Sequence, residues 1–282
     1  MAITQLTSIS TYENTIFENT VLTAREETLM AGLVTGFSAK GFMNRILSKR
    51  AQATAETVTD AVDYNNPATM SKSTQATLTP GEVIAQYLLT DQNMETDSAG
   101  AMAQCSQELG LAMAYRVDTD LLGDLADFTA DLGPGAAAAA DLQSFADCIS
   151  YLRVQLARPP YYVVLHPYHW HDIWAELGQP AATQAYLASE ANTALKDYFQ
   201  GDWLGAKWFM SANISIDASD DAISGVFSRS GLALDVRRAV RLEPERDASL
   251  RAVEMNLTMG YAHGVIDALH GCHYTSDATA PS

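Results

Sequence analysis

Residues 97–127 read DSAGAMAQCSQELGLAMAYRVDTDLLGDLAD. Met102, Cys105, Leu109, Ala112 and Tyr115 recur at spacings of three and four, followed by Leu121, Leu122 and Leu125, so a single helix carries them. About thirty helical residues span ~45 Å, which makes this the longest regular element in the chain. Asp97 and Ser98 supply N-cap oxygens where it begins.

Upstream of the helix, residues 51–92 exchange helix formers for Thr, Val, Ala and Ser. Two extended runs, Ala55 to Val62 and Ser73 to Leu89, flank the polar tip Asn65-Asn66-Pro67. That pattern predicts a long β-hairpin. Its outer half alternates small and polar residues, so it cannot hold itself together in water and must rest on another subunit. Earlier still, residues 16–50 place Phe17, Val21, Leu22, Leu29, Met30, Leu33, Phe37, Phe42 and Ile46 at helical spacings, with Ala24 and Ala31 between them. The reading is an amphipathic helical arm broken near Gly36 and Gly41.

Downstream, Thr129 to Ala140 holds Gly133-Pro134-Gly135 and a run of alanines, and reads as a linker. Beyond it helix and strand alternate: a helix over Asp141 to Ala157 stopped by Pro159-Pro160, a buried strand at Tyr161 to Leu165, helices at Pro167 to Leu177 and Gln184 to Phe199, and a strand at Ala206 to Met210. The last part reads as strands over Ala222 to Ser228, Leu232 to Ala239, Leu250 to Ala262 and Val265 to Gly271, with a charged turn at Glu243 to Asp247.

Composition limits what such a chain does. With 48% hydrophobic residues over 282 positions it can bury a sizeable core. Acids outnumber bases 34 to 17, giving a formal charge of -17, whereas a protein that grips nucleic acid needs a basic face. The same balance suits a container, because an acidic inner wall repels packed phosphate. Cys105, Cys148 and Cys272 form no paired motif and read as small buried residues. The start MAITQLTSIS lacks the basic and apolar regions of a secretory signal, and no apolar run is long enough to cross a membrane, so the expectation is assembly in a cytoplasm with no membrane partner.

Catalytic signatures are missing. There is no HExxH, no phosphate-binding glycine loop and no nucleophile elbow. The cluster His166, His169, His171 and Asp172 has the residue types of a metal site, but on a helix beginning near Pro167 the ring of His171 points away from His169 and Asp172, so the set reads as polar surface or a helix N-terminus. Asp118 with Asp120, and Asp220 with Asp221, read as solvated acids because no calcium loop surrounds them. Arg237, Arg238, Arg241, Arg246 and Arg251 interleave with Asp235, Glu243, Glu245, Asp247 and Glu254, a pattern of ion pairs within or between subunits. Lys40, Arg45, Lys49 and Arg50 close the arm and read as an anchor on an acidic neighbour, with packaged DNA as the other reading.

The order of arm, long hairpin, long helix, linker, mixed lobe and returning strands resembles the Hong Kong 97-type major capsid protein of tailed phages. The carrying stretches are Thr79-Pro80-Gly81-Glu82-Val83-Ile84-Ala85 leading into the helix, Val163-Val164-Leu165-His166-Pro167 with Trp170 and Ile173, Asn192-Thr193-Ala194-Leu195 followed by Gly205 to Ile214, and the terminal set from Gly225 to Val265. The resemblance implies an α+β fold with an N-terminal arm (1–50), an E-loop hairpin (51–92), a P-domain with its spine helix (93–132), an A-domain (133–225) and returning strands with a C-terminal tail (226–282). It implies a structural protein without catalytic residues, cofactor or metal. Copies would form pentamers and hexamers of an icosahedral shell, located in the virion and assembled in the host cytoplasm. Double-stranded DNA would be enclosed with few specific contacts, and portal, scaffold or decoration proteins are further partners of such shells.

Thr59, Asp60, Tyr64, Lys72, Arg45, Arg50, Arg237, Arg238, Arg241, Glu245 and Arg246 are the expected inter-subunit contacts. Some members of the family link a hairpin lysine to a neighbour's asparagine. Lys72 is the one lysine of residues 51–92, and noncovalent locking is expected here. Because the chain starts at Met1, no removed N-terminal scaffolding segment is expected. An encapsulin-like nanocompartment shares the implied fold, and a metal-dependent hydrolase built on His166, His169 and His171 is the rival from another class.

Overall fold

The computed structural model describes residues 29–51, 53–61, 63, 69–96, 98–177 and 202–281. The expected helix at Gln184 to Phe199, the arm positions before Leu29, the hairpin tip at Asn65 to Pro67, and Asp97 lie outside the described residues.

Two sheets are joined by the long helix. In the first, β10 (Leu232–Asp247) and β11 (Ala252–Val265) form an antiparallel hairpin; β4 (Gly81–Thr90) pairs antiparallel with β11, and β1 (Thr35–Ser38) runs parallel to β10. In the second the strand order is β5 (Ala130–Asp131), β12 (Gly271–Asp277), β9 (Asp221–Ser228), β6 (Tyr161–Leu165), β8 (Ala206–Met210), β7 (Asp202–Trp203). Strand β6 is buried along its whole length, as a continuous apolar run in a sheet covered on both faces should be.

Helix α3 (Ser98–Gly123) serves both sheets. Cys105, Leu109 and Met113 pack with Leu89, Met255 and Leu257 of the first sheet. One to three turns further on, Val117, Leu121 and Leu122 join Tyr162, Val164 and Phe227 of the second, together with Met30 and Leu33 from the single helical turn α1 (Met30–Leu33). A short helix α2 (Asp91–Thr96) links β4 to α3, and a 3-10 turn (Asp124–Asp127) follows it.

The other face of the second sheet is covered by α4 (Leu142–Val154) and α5 (Pro167–Leu177). Asp141 caps α4, its carboxylate accepting from the Ser144 N–H at 2.8 Å. Phe145 of α4 stacks on Tyr274 at 3.9 Å and tilts against Trp208 at 5.1 Å, which fixes the helix on the sheet.

Four expectations are corrected. Residues 35–50 are not a helical arm: after α1 the chain enters β1 and then β2 (Arg45–Arg50), because the pairing of β1 with β10 and of β2 with residues 72–78 outweighs local spacing. The hairpin strands are β2 and β3 (Lys72–Leu78), and the expected return run breaks at Thr79-Pro80, beyond which β4 joins the first sheet instead. Glu243 to Asp247 belong to β10; the turn comes at 248–251, where Asp247 accepts from the Ser249 and Leu250 N–H groups and Arg251 takes a left-handed φ of 49°. The last strand is Gly271–Asp277, not Val265 to Gly271.

Candidate assembly surfaces

The hairpin β2–β3 is fastened at its root. The Asp235 carboxylate, 0% exposed, accepts from Arg45 Nε at 2.7 Å and Nη2 at 3.2 Å, and lies 2.8 Å from Arg237 Nη2. Arg45 also covers the ring of Phe37 at 4.8 Å. Leu47 and Leu78 turn inward to pack with Ala233 and Ala262, and Lys49 lies 3.6 Å from Asp267. Two of the cations expected to hold a neighbour therefore hold the hairpin to its own subunit.

Away from the root the described residues of the hairpin lie uncovered. Residues 53–61 are all exposed, Thr59 and Asp60 among them, as are Arg50, Val58, Met70 and Lys72. Tyr64 lies outside the described residues. Arg50 and Lys72 are direct cross-strand partners.

Strand β10 carries the interleaved charges into pairs within the chain. Arg238 donates to Glu82 of β4, Arg241 lies 3.0 Å from Glu243, and Arg246 forks onto both oxygens of Asp91, holding that carboxyl below its ordinary range. Glu245 is exposed and stands opposite Glu254 on β11.

The histidine cluster is not surface. His166 and His169 are buried, which corrects the surface half of the sequence reading, while His166 directly precedes α5 as its helix N-terminus half has it. His169 Nδ1 and Ser224 Oγ share a hydrogen bond at 2.7 Å, and burial lowers the ring's pKa to about 4, so it is neutral near pH 7. His166 Nδ1 accepts from the Tyr168 N–H at 3.2 Å. His171 is half-exposed beside Asp172, and no group of three metal-ligating side chains comes together among the described residues.

Two acids read as solvated are structural. Asp118 is buried and accepts from the Met30 N–H at 3.0 Å and Asn213 Nδ2 at 2.8 Å. Asp221 is buried and accepts from the Ala137 N–H at 2.7 Å. Sequence reasoning also missed the join between α3 and β11. There Asp120 accepts from Tyr261 Oη at 2.6 Å, and Asp124 meets His263 Nδ1 at 2.8 Å, a contact that pushes the histidine up while burial pushes Asp124 up. The one local signal was the i, i+4 spacing of Asp120 and Asp124.

The described surfaces are strands, exposed apolar side chains and ion pairs rather than a catalytic constellation. The chain matches the model of a family described as phage capsid protein over residues 79–273. No curated protein matches it in sequence. The head structure of Helicobacter pylori bacteriophage KHP40 is similar at a TM-score of 0.69 and 14% identity, covering 87% of this chain and 88% of that one. A structure from Mycobacterium phage Che8 gives 0.67 and 17%, covering 88% and 90%. A virus-like particle from Pyrococcus furiosus gives 0.59 and 8%, covering 94% and 99%.

Proposed function

The chain belongs to the phage capsid protein family, and on that premise we propose how its surfaces build a shell. The protein is a major capsid subunit of the Hong Kong 97-type fold, a structural protein and not an enzyme, and its copies associate into the capsid of a tailed-phage virion.

In the proposed assignment the E-loop is rooted at Arg45 rather than at residue 51, the spine helix is Ser98–Gly123 with its 3-10 extension, residues 133–225 form the A-domain, and the strands from 226 onward return to the P-domain. The hairpin overlies an adjacent copy, the N-terminal arm tethers another, and the A-domain meets its counterparts in pentamers and hexamers. The observation that carries this is the hairpin itself. Its root is tied down by a buried ion triad, while its outer residues are exposed throughout 53–61 and need a surface to lie on.

Each contact is modest, and their sum over a closed lattice makes a shell hard to open. Enclosed double-stranded DNA fits the formal charge of -17, which keeps phosphate from adhering to the wall. Assembly takes place in the host cytoplasm, and portal, scaffold and decoration proteins are the further partners such a shell takes.

The test is replacement of residues 52–70 by a short turn. The expected product is a subunit with an unchanged denaturation midpoint that makes no closed particles in negative-stain images. Normal particles from that variant would overturn the assignment.

A further inference from the structure

The subunit carries two cross-strand pairs of like charge. On the hairpin Arg50 stands directly opposite Lys72, and on the first sheet Glu245 stands directly opposite Glu254. Like charges facing each other across a ladder destabilise it, so each pair is a local cost to the isolated chain. Neither pair is neutralised internally. Among the described residues Arg50, Lys72 and Glu245 make no ion pair, and Glu254 is met only by the Gln86 amide at 2.9 Å.

The apolar surroundings of the two pairs also match. Side chains two apart along a strand share a face, so Ile46, Ser48 and Arg50 point outward together while Leu47 and Lys49 turn toward the subunit. Ile46 is 62% exposed. Beside the acidic pair, Leu88 of β4 is the direct partner of Glu254, and Ile84 lies four residues along the same strand on the same face. Both are exposed, because α3 covers the opposite face of this sheet through Leu89, Met255 and Leu257. In each case an exposed apolar side chain sits four residues, about 13 Å, from the charged row.

We propose that the Arg50–Lys72 pair of one copy seats on the Glu245–Glu254 pair of a second copy, with Ile46 lying against the Leu88 and Ile84 edge of β4. This rests on the shell reading and names the surface that receives the hairpin. Donor and acceptor are different surfaces of one chain, so the contact runs head to tail and repeats around a ring instead of closing in a two-fold pair. Each like-charge pair is relieved only by the other copy, so the arrangement favours assembled over free subunits and sets register at the interface.

Four variants of the chain test this. Lys72→Glu places opposite charges across β2–β3, and should raise the thermal midpoint of the unassembled subunit while cutting the yield of closed particles at least tenfold. Arg50→Glu with Lys72→Glu should block assembly, and adding Glu245→Lys and Glu254→Lys should restore it. Lys72→Cys with Glu254→Cys should give covalent multimers on oxidation of particles, against a low background because Cys105, Cys148 and Cys272 are buried. Normal particle yield from the charge-reversed hairpin, or only monomers from the cysteine pair, would overturn the inference and leave the shell reading standing. An unaltered chain that formed no particles would overturn both.

Discussion

Replacing Asp235 by alanine should destabilise the unassembled subunit by about 3–5 kcal/mol, the range for breaking a buried ion pair by removing one partner. Its carboxylate receives two bonds from Arg45 and lies 2.8 Å from Arg237, with no exposed side-chain surface. The two arginines do not lose equally. The Arg45 side chain is 25% exposed and can turn to water, whereas that of Arg237 is 6% exposed, with an Nε that already lacks an acceptor. Most of the loss therefore falls on Arg237, left as a buried charge without a counter-ion. By the same reasoning Arg45→Ala should cost only about 1–2 kcal/mol, since Asp235 keeps Arg237 and a single charged hydrogen-bonding group is lost. Against a native stability of about 5–15 kcal/mol the larger figure is a substantial share. Urea denaturation followed by circular dichroism reads it as a fall in midpoint at constant slope. A loss below about 1 kcal/mol for Asp235→Ala, or equal losses for the two variants, would refute the assignment of the cost to Arg237.

Two further outcomes follow from buried groups. His169 has a folded pKa near 4 against about 6.5 when unfolded, so the unfolded chain binds the proton more readily and stability falls as pH drops from about 6.5 toward 4. The full penalty is about 3 kcal/mol, and His169→Gln should remove that part of the acid loss, seen as a shallower fall in stability for the variant than for the parent across the window. A parallel pair of curves would contradict it. At Gly133 an added Cβ would meet the Thr275 carbonyl oxygen at 2.3 Å and its nitrogen at 2.4 Å, so Gly133→Ala should cost about 2–3 kcal/mol by forcing the linker off β12. A neutral result in the same denaturation assay would show that the linker can shift freely.

What could be read along the chain was whatever a local period decides. Tyr161–Leu165 is a run of five apolar residues and is a strand buried throughout; the three-and-four spacing from Cys105 to Leu125 is a helix. What could not be read was set by partners far away in sequence. Thr35–Ser38 is a strand because it lies parallel to β10, two hundred positions later, and its Phe37 fits a helical spacing equally well. The last strand was misplaced because its buried residues, Cys272, Tyr274 and Ser276, alternate with His273 and Thr275, so it has no apolar run to announce it. Glu243 and Glu245 looked like a turn, yet they are the outward half of a period-2 strand whose Leu242 packs inward. The charges that the proposed contacts use were legible by type. Their sorting into internal locks such as Arg45 with Asp235, and unrelieved pairs such as Arg50 with Lys72, needed the register of strands that local sequence does not specify.

The central claim is that this chain closes into a shell by contacts between its own copies. Electron microscopy of the purified full-length protein tests it most directly. The account predicts uniform closed particles built of five- and six-subunit rings, with the hairpin of each subunit lying across its neighbour. A monodisperse monomer or small open oligomer under conditions where the chain is folded would contradict it.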